Sequence, residues 1–582
     1  MKPKIMLLFS LTILLLTACS AAPEIQASFD PADLKFDSEK AFAIEAEMVT
    51  RFPDRASGYP NNKLAAEWIQ TRMSAAGWDC SIDQWEIINY SKPTSLNNVI
   101  CKLPGDSARE ILVIAHLDQA MTTVQGADND AAGIAILLHL GEIFAKEKPL
   151  PYTLVFVATD AEEYGMIGSG RYMESHPDPK NIIAGFSMDN VGRSYYDGVK
   201  MEQIGQYRNY GSLWLALALK EAASHAGLWP VVIPGVLDEM IGQMAPVSFM
   251  DQGTIVAAGV PALGIAGREP PAYAAEHYRM WHDPSDTLET QSASTVGNIG
   301  LVAEALIRQL QSMQSFPQES GPYLYNELSN QLLRGWPLWL IFISFTALFF
   351  LGSFLTARAP IAEKMKSWKA VLPHFLSFWL PFVAFVIMLY MFVETGLLLK
   401  FHRYPATTKD PYLTQPNWLI FTLALVGLAL LLFLGRRIGR RFAGSGQEPP
   451  FGVIKSFALF VVGLAAVYIL ALNPFSLLFI VPLLLWFLIT GRKGLGKILD
   501  IVFFLLGGLM LYALIYINGF LTLHYNFAFF WMLLNMIADR MVSFPTMVVI
   551  AALFAAGLST VVGAPQPSLQ RQSIHTPAAK AS

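Results

Sequence analysis

Hydrophobic and polar positions follow two different patterns in this chain, and the change comes near residue 334. Before it, apolar runs are short and bounded by polar residues. Two of them, Glu110–Ala115 and Thr153–Ala158, are almost wholly apolar, as expected of strands covered on both faces of a sheet. Further strands are predicted at Asp79–Ile88, Asn98–Leu103, Ile183–Met188 and Ala262–Ile265, and helices within 38–77, 131–146, 212–225 and 293–315. The alternation predicts an α/β fold, with a mixed sheet sandwiched by helices.

After residue 334 the chain is dominated by long apolar runs. A bilayer-spanning helix needs ~20 apolar residues. Seven runs approach or exceed this length: 336–357, 371–399, 418–435, 456–472, 475–490, 498–517 and 542–562. The run at 475–490 is short, and 527–538 is an eighth candidate. We therefore predict an all-α transmembrane domain of seven or eight helices over 335–563, followed by a polar tail at 564–582.

Charge is divided unequally between the two parts. The whole chain carries −4, but residues 336–582 carry about +12, which leaves about −16 for the first part. An acidic domain argues against nucleic acid as a partner, because a duplex would repel it. Basic residues follow alternate spans, and positive loops face the cytoplasm. These loops are at 358–369, 436–441 and 492–497. The first domain is thus expected on the outer side of the membrane.

The first 19 residues have the pattern of a secretory signal, with Lys2 and Lys4, an apolar core and small residues before Cys19. Leu16–Cys19 resembles a bacterial lipoprotein cleavage site, so Cys19 is a candidate for lipidation and the protein for the bacterial inner membrane. An uncleaved N-terminal anchor is the alternative. Residues 20–37 form a predicted linker. Cys80 and Cys101 lie in an exported domain, but a hairpin turning near Pro93 would pair residue 80 with about 106, which does not support a disulfide.

Candidate chemistry lies where the predicted strands end. His116-Leu117-Asp118 follows the first buried strand, Asp160-Ala161-Glu162-Glu163 follows the second, and Asp189-Asn190 follows the third. A loop with three adjacent polar residues, Asp128-Asn129-Asp130, opens the helix between the first two strands. Trp281-His282-Asp283-Pro284-Ser285-Asp286 lies far downstream. Imidazole with carboxylate is suitable ligation for zinc, so the pattern predicts a zinc site.

The segments HLD, GADNDAAG, EEYGMIGS, MDNVG and HDPSDT, in this order, resemble the co-catalytic zinc aminopeptidases, the family that includes glutamate carboxypeptidase II and the transferrin receptor. The resemblance covers about residues 40–315 within a predicted exported domain of 38–320. One departure is Met250-Asp251-Gln252, where the family usually has Ser-Asp-His. We interpret this departure as a changed contact at the rim of the site.

The resemblance implies two Zn²⁺ ions per domain and a role for each matching residue. His116, Asp128 and Asp189 would bind one zinc, and Asp128, Glu163 and His282 the other. Asp118 would orient His116, and Glu162 would be the general base. Asp286 would support His282. His277 is the alternative candidate for the second histidine ligand assigned here to His282.

The function implied is a membrane-anchored exopeptidase that removes N-terminal residues from peptides. A carboxypeptidase or dipeptidase of the same chemistry is the alternative, and a glutaminyl-cyclase-like enzyme is a less favoured one. The hypothesis from a different functional class, without catalysis, is a receptor or transporter accessory. Expected partners are peptide substrates and membrane lipid, while protein partners and the role of the membrane domain are not indicated by the sequence.

Overall fold

The computed structural model describes residues 20–147, 149–317, 322–356, 361–402, 409–410, 412, 415–442, 450–490, 498, 502 and 528–562. Eleven strands are present in this part of the chain. They are β1 (Ser20–Ala21), β2 (Asp79–Asn89), β3 (Lys92–Leu103), β4 (Ser107–His116), β5 (Tyr152–Thr159), β6 (Ile182–Met188), β7 (Val199–Glu202), β8 (Val231–Val232), β9 (Ala262–Gly267), β10 (Tyr323–Asn326) and β11 (Gln331–Arg334).

Eight strands form one mixed sheet in the order β2-β3-β5-β4-β6-β9-β7-β8. The central strands β5, β4, β6 and β9 are parallel, while β2, β3 and β7 add antiparallel pairs. Neighbouring residues of a strand point to opposite faces. On β4, Ile111 and Val113 therefore enter one core, and Leu112 and Ile114 enter the other. The predicted mixed sheet sandwiched by helices is confirmed.

Helices cover both faces of the sheet. The larger core lies beneath Ser38–Arg51, Pro60–Ala75, Ala132–Phe144, Leu213–His225 and Ala293–Ser312, and the smaller one beneath Ile167–Ser175 and Gln252–Ala257. The helical pattern at 38–77 is two helices rather than one. The first ends at Arg51, and the second begins with Pro60 in its first turn, where proline's missing N–H is not needed. The connecting residues carry Arg55 and Ser57 to the functional site.

The hairpin β2–β3 corrects the sequence-based expectation for the cysteines. Its turn is at Tyr90 and Ser91, both with positive φ, two residues earlier than Pro93. A two-residue turn with both residues at positive φ matches the twist of paired strands. Cys80 is therefore directly opposite Cys101, and the two form a disulfide. The expectation that register disfavours this bridge was wrong because the turn was misplaced.

A small sheet joins the α/β domain to the apolar part. Its order is β1-β11-β10, with Ser20 opposite Leu332, and β11 ends immediately before the helix Trp336–Thr356. Helices follow at Ile361–Glu394, Trp418–Phe442, Phe451–Leu472, Leu477–Ile489, Ala528–Ala538 and Phe544–Val562. Shorter helices in the first domain are Val236–Met244 and Ala274–Met280.

Five of the described helices are long and apolar enough to cross a membrane. They include segments 336–353, 368–394, 418–439, 451–472 and 544–562. Leu477–Phe487 is apolar but shorter, and Ala528–Ala538 spans 11 residues. The predicted run at 498–517 lies outside the described residues apart from two single positions. The helical membrane region is thus supported, while the number of its spans stays a prediction.

Candidate metal centre

Three adjacent strands of the sheet bring the candidate residues together. β4 lies between β5 and β6 and is parallel to both, so the carboxyl ends of the three strands meet at one edge. β4 ends at His116, Glu162 and Glu163 follow β5, and Asp189 follows β6. All four side chains are nearly inaccessible to solvent. The topology therefore explains why residues up to 73 positions apart share one site.

Asp118 organises this edge through both of its carboxylate oxygens. One accepts from His116 Nδ1 at 3.2 Å and from the backbone N–H of Glu162 at 3.2 Å. The other accepts from the backbone N–H of Glu163 at 3.3 Å and from Ser57 Oγ at 3.2 Å. A carboxylate only accepts hydrogen bonds. It therefore keeps the proton of His116 on Nδ1 and directs the Nε2 lone pair into the site.

Atoms that bear lone pairs converge beyond His116. His116, Glu162 and Asp189 each offer one ligand atom, and these atoms lie within 4.8 Å of one another. His116 Nε2 is 3.7 Å from an Asp189 oxygen and 2.7 Å from Asn129 Oδ1. With the His116 proton on Nδ1, Nε2 and Asn129 Oδ1 both direct lone pairs into the site, and Asp189 adds a carboxylate oxygen that also accepts from Asn190 Nδ2 at 2.7 Å. The donor set therefore fits a zinc ion.

The second predicted histidine lies beside the second glutamate. His282 Nε2 is 2.9 Å from Glu163 Oε2, and both side chains are buried. The rival His277 instead contacts the hydroxyl of Tyr195, with 3.1 Å between His277 Nδ1 and that oxygen. The structure thus brings His282, and not His277, to the predicted carboxylate.

Asp128 is not where the sequence analysis placed it. Its carboxylate accepts from Arg193 Nε at 3.0 Å, Tyr196 Oη at 2.8 Å and Gly192 N at 2.8 Å. The side chain between His116 and Glu163 is that of Asn129, whose Nδ2 donates to Glu163 Oε1 at 2.9 Å. The loop was read one residue out of register, because Asp128, Asn129 and Asp130 are equally polar and only the backbone decides which one points inward.

Asp286 supports the loop 128–129 rather than His282. One of its carboxylate oxygens accepts from the backbone N–H of Asp128 at 3.0 Å, and the other from that of Asn129 at 3.3 Å. It also accepts from Arg193 Nη2 at 3.1 Å. Arg193 was absent from the sequence-based set, since a single arginine after a short strand gives no pattern. Its buried guanidinium forms an ion pair with both Asp128 and Asp286.

A cavity of about 180 Å³ opens onto these residues. Thirteen residues line it: Asn129, Glu162, Glu163, Asp189, Asn190, Lys200, Glu202, Phe249, Met250, Ala266, His277, Trp281 and His282. The Met250–Gln252 segment is therefore not at a rim. Gln252 is fully buried and donates to Glu202 at 3.0 Å, so the departure from the family pattern holds a carboxylate of the cavity wall.

Comparison with known proteins identifies this domain. The family model described as "Peptidase family M28" matches residues 98–307, which include β4, β5, β6, His116, Asn129, Glu162, Glu163, Asp189 and His282. Residues 98–307 are a peptidase M28 domain. The description of this family is that of a peptidase.

The relatives of the M28 domain match over part of their own length. The Escherichia coli alkaline phosphatase isozyme conversion protein is 29% identical over 215 residues, which are 32% of this chain and 60% of that protein. A probable zinc metalloprotease of Pyricularia oryzae is 32% identical over 182 residues, 28% of this chain and 36% of that protein. The chain therefore spans less than two thirds of these relatives.

Solved structures with a similar fold include two kinds of enzyme. Porphyromonas gingivalis glutaminyl cyclase is 18% identical, with a TM-score of 0.41 over 47% of this chain and 99% of that chain. The zinc aminopeptidase BSAP of Bacillus subtilis is 14% identical, with a TM-score of 0.41 over 49% of this chain and 97% of that one.

Burial and neighbouring charge perturb the acids of the M28 domain. Burial raises the pKa of Glu162 well above its usual value, and the Asp189 and Glu163 carboxylates raise it further against the opposing effect of His116. Burial likewise raises the pKa of Asp286 to about 7. Several acids crowded into a buried site favour bound cations, because a cation removes their mutual repulsion.

The region between the second and third candidate spans contacts the M28 domain. Lys409 Nζ donates to the backbone carbonyls of Tyr278 at 2.9 Å and Arg279 at 2.8 Å, and also to that of Trp281. These carbonyls end the helix Ala274–Met280, directly before His282. Asp410 accepts from the hydroxyl of Tyr90. The membrane part thus packs against the segment that carries Trp281 and His282 to the wall of the cavity.

Proposed function

We propose that this chain is a membrane-bound zinc exopeptidase that removes residues from the N-termini of peptides. The observation that carries the proposal is the convergence of Glu162 with His116 and Asp189 at the floor of a small cavity. This arrangement supports hydrolysis, since it joins a zinc-binding set to a carboxylate able to move a proton.

Each residue has a role in this proposal. His116 and Asp189 hold zinc, which when bound polarises the peptide carbonyl. Glu162 accepts a proton from the attacking water and delivers it to the leaving amine, a transfer suited to a carboxyl whose pKa is raised by burial. Asp118 is a positioning residue, because it fixes the His116 ring and the backbone N–H groups of both glutamates.

The cavity wall favours the amino end of a peptide over the carboxyl end. Glu202 lines the cavity and is held by Ser248, Gln252 and the backbone of Phe249. A partly buried carboxylate that lines a cavity suits a terminal ammonium group. Lys200 also lines the cavity, but its Nζ pairs with Glu269 at 2.6 Å. We therefore assign Glu202 to the free amino group of the substrate.

Blocked peptides test the proposal. The purified full-length protein in detergent should cleave a peptide with a free amino end and an amidated carboxyl end. It should not cleave the same peptide with an acetylated amino end. Glu202→Gln should raise KM for the free peptide at least about tenfold, because a charge-assisted hydrogen bond contributes ~1.5–3 kcal/mol. Cleavage of only a peptide with an acetylated amino end and a free carboxyl end would instead establish a carboxypeptidase.

A non-catalytic peptide-binding domain is the second candidate. It is favoured by Asn129, a neutral residue between His116 and Glu163 where a shared metal ligand is expected. Zinc-loaded protein that binds peptides but releases no amino acid, from any of a set of free and blocked peptides, would establish this reading. Release of cyclised N-terminal glutamine instead of hydrolysis would establish a glutaminyl-cyclase-like activity.

We also propose that the M28 domain lies outside the bacterial inner membrane and that Cys19 is lipidated. Ser20 pairs with Leu332, four residues before Trp336, where the helix Trp336–Thr356 begins. The described chain therefore begins close to the first candidate span, and this closeness supports a lipid on Cys19 that inserts into the membrane. Mass spectrometry of the mature N-terminus tests lipidation, and a chain beginning at Met1 would contradict it. Labelling of single cysteines at 436–441 by an impermeant reagent in intact cells would contradict the orientation.

A further inference from the structure

Residue 129 stands at the junction of two halves of the site. One half contains His116 and Asp189, and the other contains Glu163 and His282. Asn129 is 3% exposed, with its Oδ1 2.7 Å from His116 Nε2 and its Nδ2 2.9 Å from Glu163 Oε1. A ligand that serves two metal ions would have to occupy this position.

The orientation of the Asn129 amide is fixed by its neighbours. A Glu163 carboxylate only accepts hydrogen bonds, so the NH₂ group of Asn129 must face it. The amide oxygen then faces His116, whose Nε2 also carries a lone pair because Asp118 holds the ring proton on Nδ1. Oδ1 of Asn129, Nε2 of His116 and the Asp189 carboxylate form a set of three protein ligands, the number typical of a catalytic zinc.

The other half is satisfied without a metal ion. Glu163 accepts from Asn129 Nδ2 through one oxygen and lies 2.9 Å from His282 Nε2 through the other. An amide nitrogen has no lone pair to offer a metal, so residue 129 cannot serve this half while its oxygen serves the first. Glu163 and His282 alone are two protein ligands, fewer than a catalytic zinc normally has.

Asp128 cannot supply the missing bridge. Its carboxylate is fully buried and held by Arg193, Tyr196 and Gly192. Turning it towards the site would leave the buried Arg193 guanidinium without one of its two carboxylate partners. Asn129 also leaves the centre with one negative charge fewer than an aspartate would give, and two close divalent ions repel each other strongly.

We propose that the centre binds one zinc ion, through His116, Asp189 and the Asn129 amide oxygen, and that Glu163 and His282 form a hydrogen-bonded pair in place of a second zinc site. This inference rests on the proposed zinc-peptidase function but replaces the two-zinc expectation from the sequence. Glu163 and His282 then keep the NH₂ side of Asn129 in place and thereby aim its oxygen at the metal.

Metal content of the full-length protein tests this proposal. After equilibration with buffered free zinc and removal of excess, elemental analysis should find one zinc per chain. Asn129→Asp, which supplies a second ligating oxygen, should raise the value to two. Adding Glu163→Gln to Asn129→Asp should return it to one. Asn190→Asp is the matched control, since it adds the same charge to the same cavity without standing between the two halves, and it should leave one zinc.

Several outcomes would overturn the proposal. Two zinc ions per wild-type chain would overturn the one-zinc proposal without any variant. The proposed hydrolysis of peptides would still stand. If Glu163→Gln or His282→Ala lost the single zinc while Asp189→Asn kept it, the zinc would lie in the half that contains Glu163 and His282. A second zinc in Asn190→Asp would show that charge alone decides the number. Protein that binds no zinc and hydrolyses no peptide would contradict the proposed function itself.

Discussion

Replacing Asp118 by asparagine should separate positioning of the zinc ligands from catalysis. In the wild type the Asp118 carboxylate accepts four hydrogen bonds, from the His116 ring, Ser57 and the backbone N–H groups of Glu162 and Glu163. Asparagine keeps the size but turns one acceptor oxygen into a donor NH₂. Whichever way the amide turns, two of the four donors then face another donor.

The expected change in the zinc Kd follows from the hydrogen bond between Asp118 and His116. A hydrogen bond to a charged group contributes ~1.5–3 kcal/mol, and ~1.4 kcal/mol is a tenfold change in a dissociation constant. The expected rise in the zinc Kd is therefore about 10- to 100-fold, as found when the partner of a zinc-bound histidine is removed. Because the same change releases the backbone of Glu162, kcat in saturating zinc should also stay below the wild-type value.

Competition with a zinc chelator measures the Kd, and thermal unfolding verifies that the variant is folded. Asp83→Asn is the matched control, because Asp83 lies on β2 and pairs with Arg171 away from the site. It should leave zinc affinity unchanged. A zinc Kd for Asp118→Asn within about twofold of the wild type, in folded protein, would refute the positioning role.

Three further predictions concern the fold and its surroundings. Reduction of Cys80–Cys101, which closes a loop with a sequence separation of 21, should destabilise the domain by about 3 kcal/mol, measured by denaturant unfolding. Lys409→Met should lower kcat/KM several-fold without loss of zinc, whereas Lys400→Met should not, because Lys409 binds the carbonyls before His282 and Lys400 pairs with Glu394 instead. Burial raises the pKa of Glu239 to about 8, so the folded state favours the protonated side chain. The free energy of unfolding therefore falls as pH rises from about 4.5 to about 8. The Tm of Glu239→Gln should therefore exceed that of the wild type increasingly over this range.

The sequence was sufficient for the parts of the protein that repeat a strong local pattern. Apolar runs such as Leu112–Ala115 are typical of strands buried on both faces, and their alternation with helical segments predicted the α/β class. The runs after residue 334 indicated membrane helices for the same reason, since burial of apolar surface acts on every residue of a run. Residues at strand ends, among them His116, Glu162 and Asp189, could be selected because parallel strands end at one edge.

Only the tertiary structure decided the features that depend on one residue of register. A turn at Tyr90 and Ser91 rather than at Pro93 placed Cys80 opposite Cys101. The backbone of the loop before Ala132 sent Asn129 into the site and Asp128 to Arg193. Both segments contact residues far away in the chain, since Ser91 accepts from the backbone N–H of Lys400 and Asn129 donates to Glu163. Local composition cannot encode them, because adjacent polar residues have almost the same intrinsic preference and only their distant partners distinguish them.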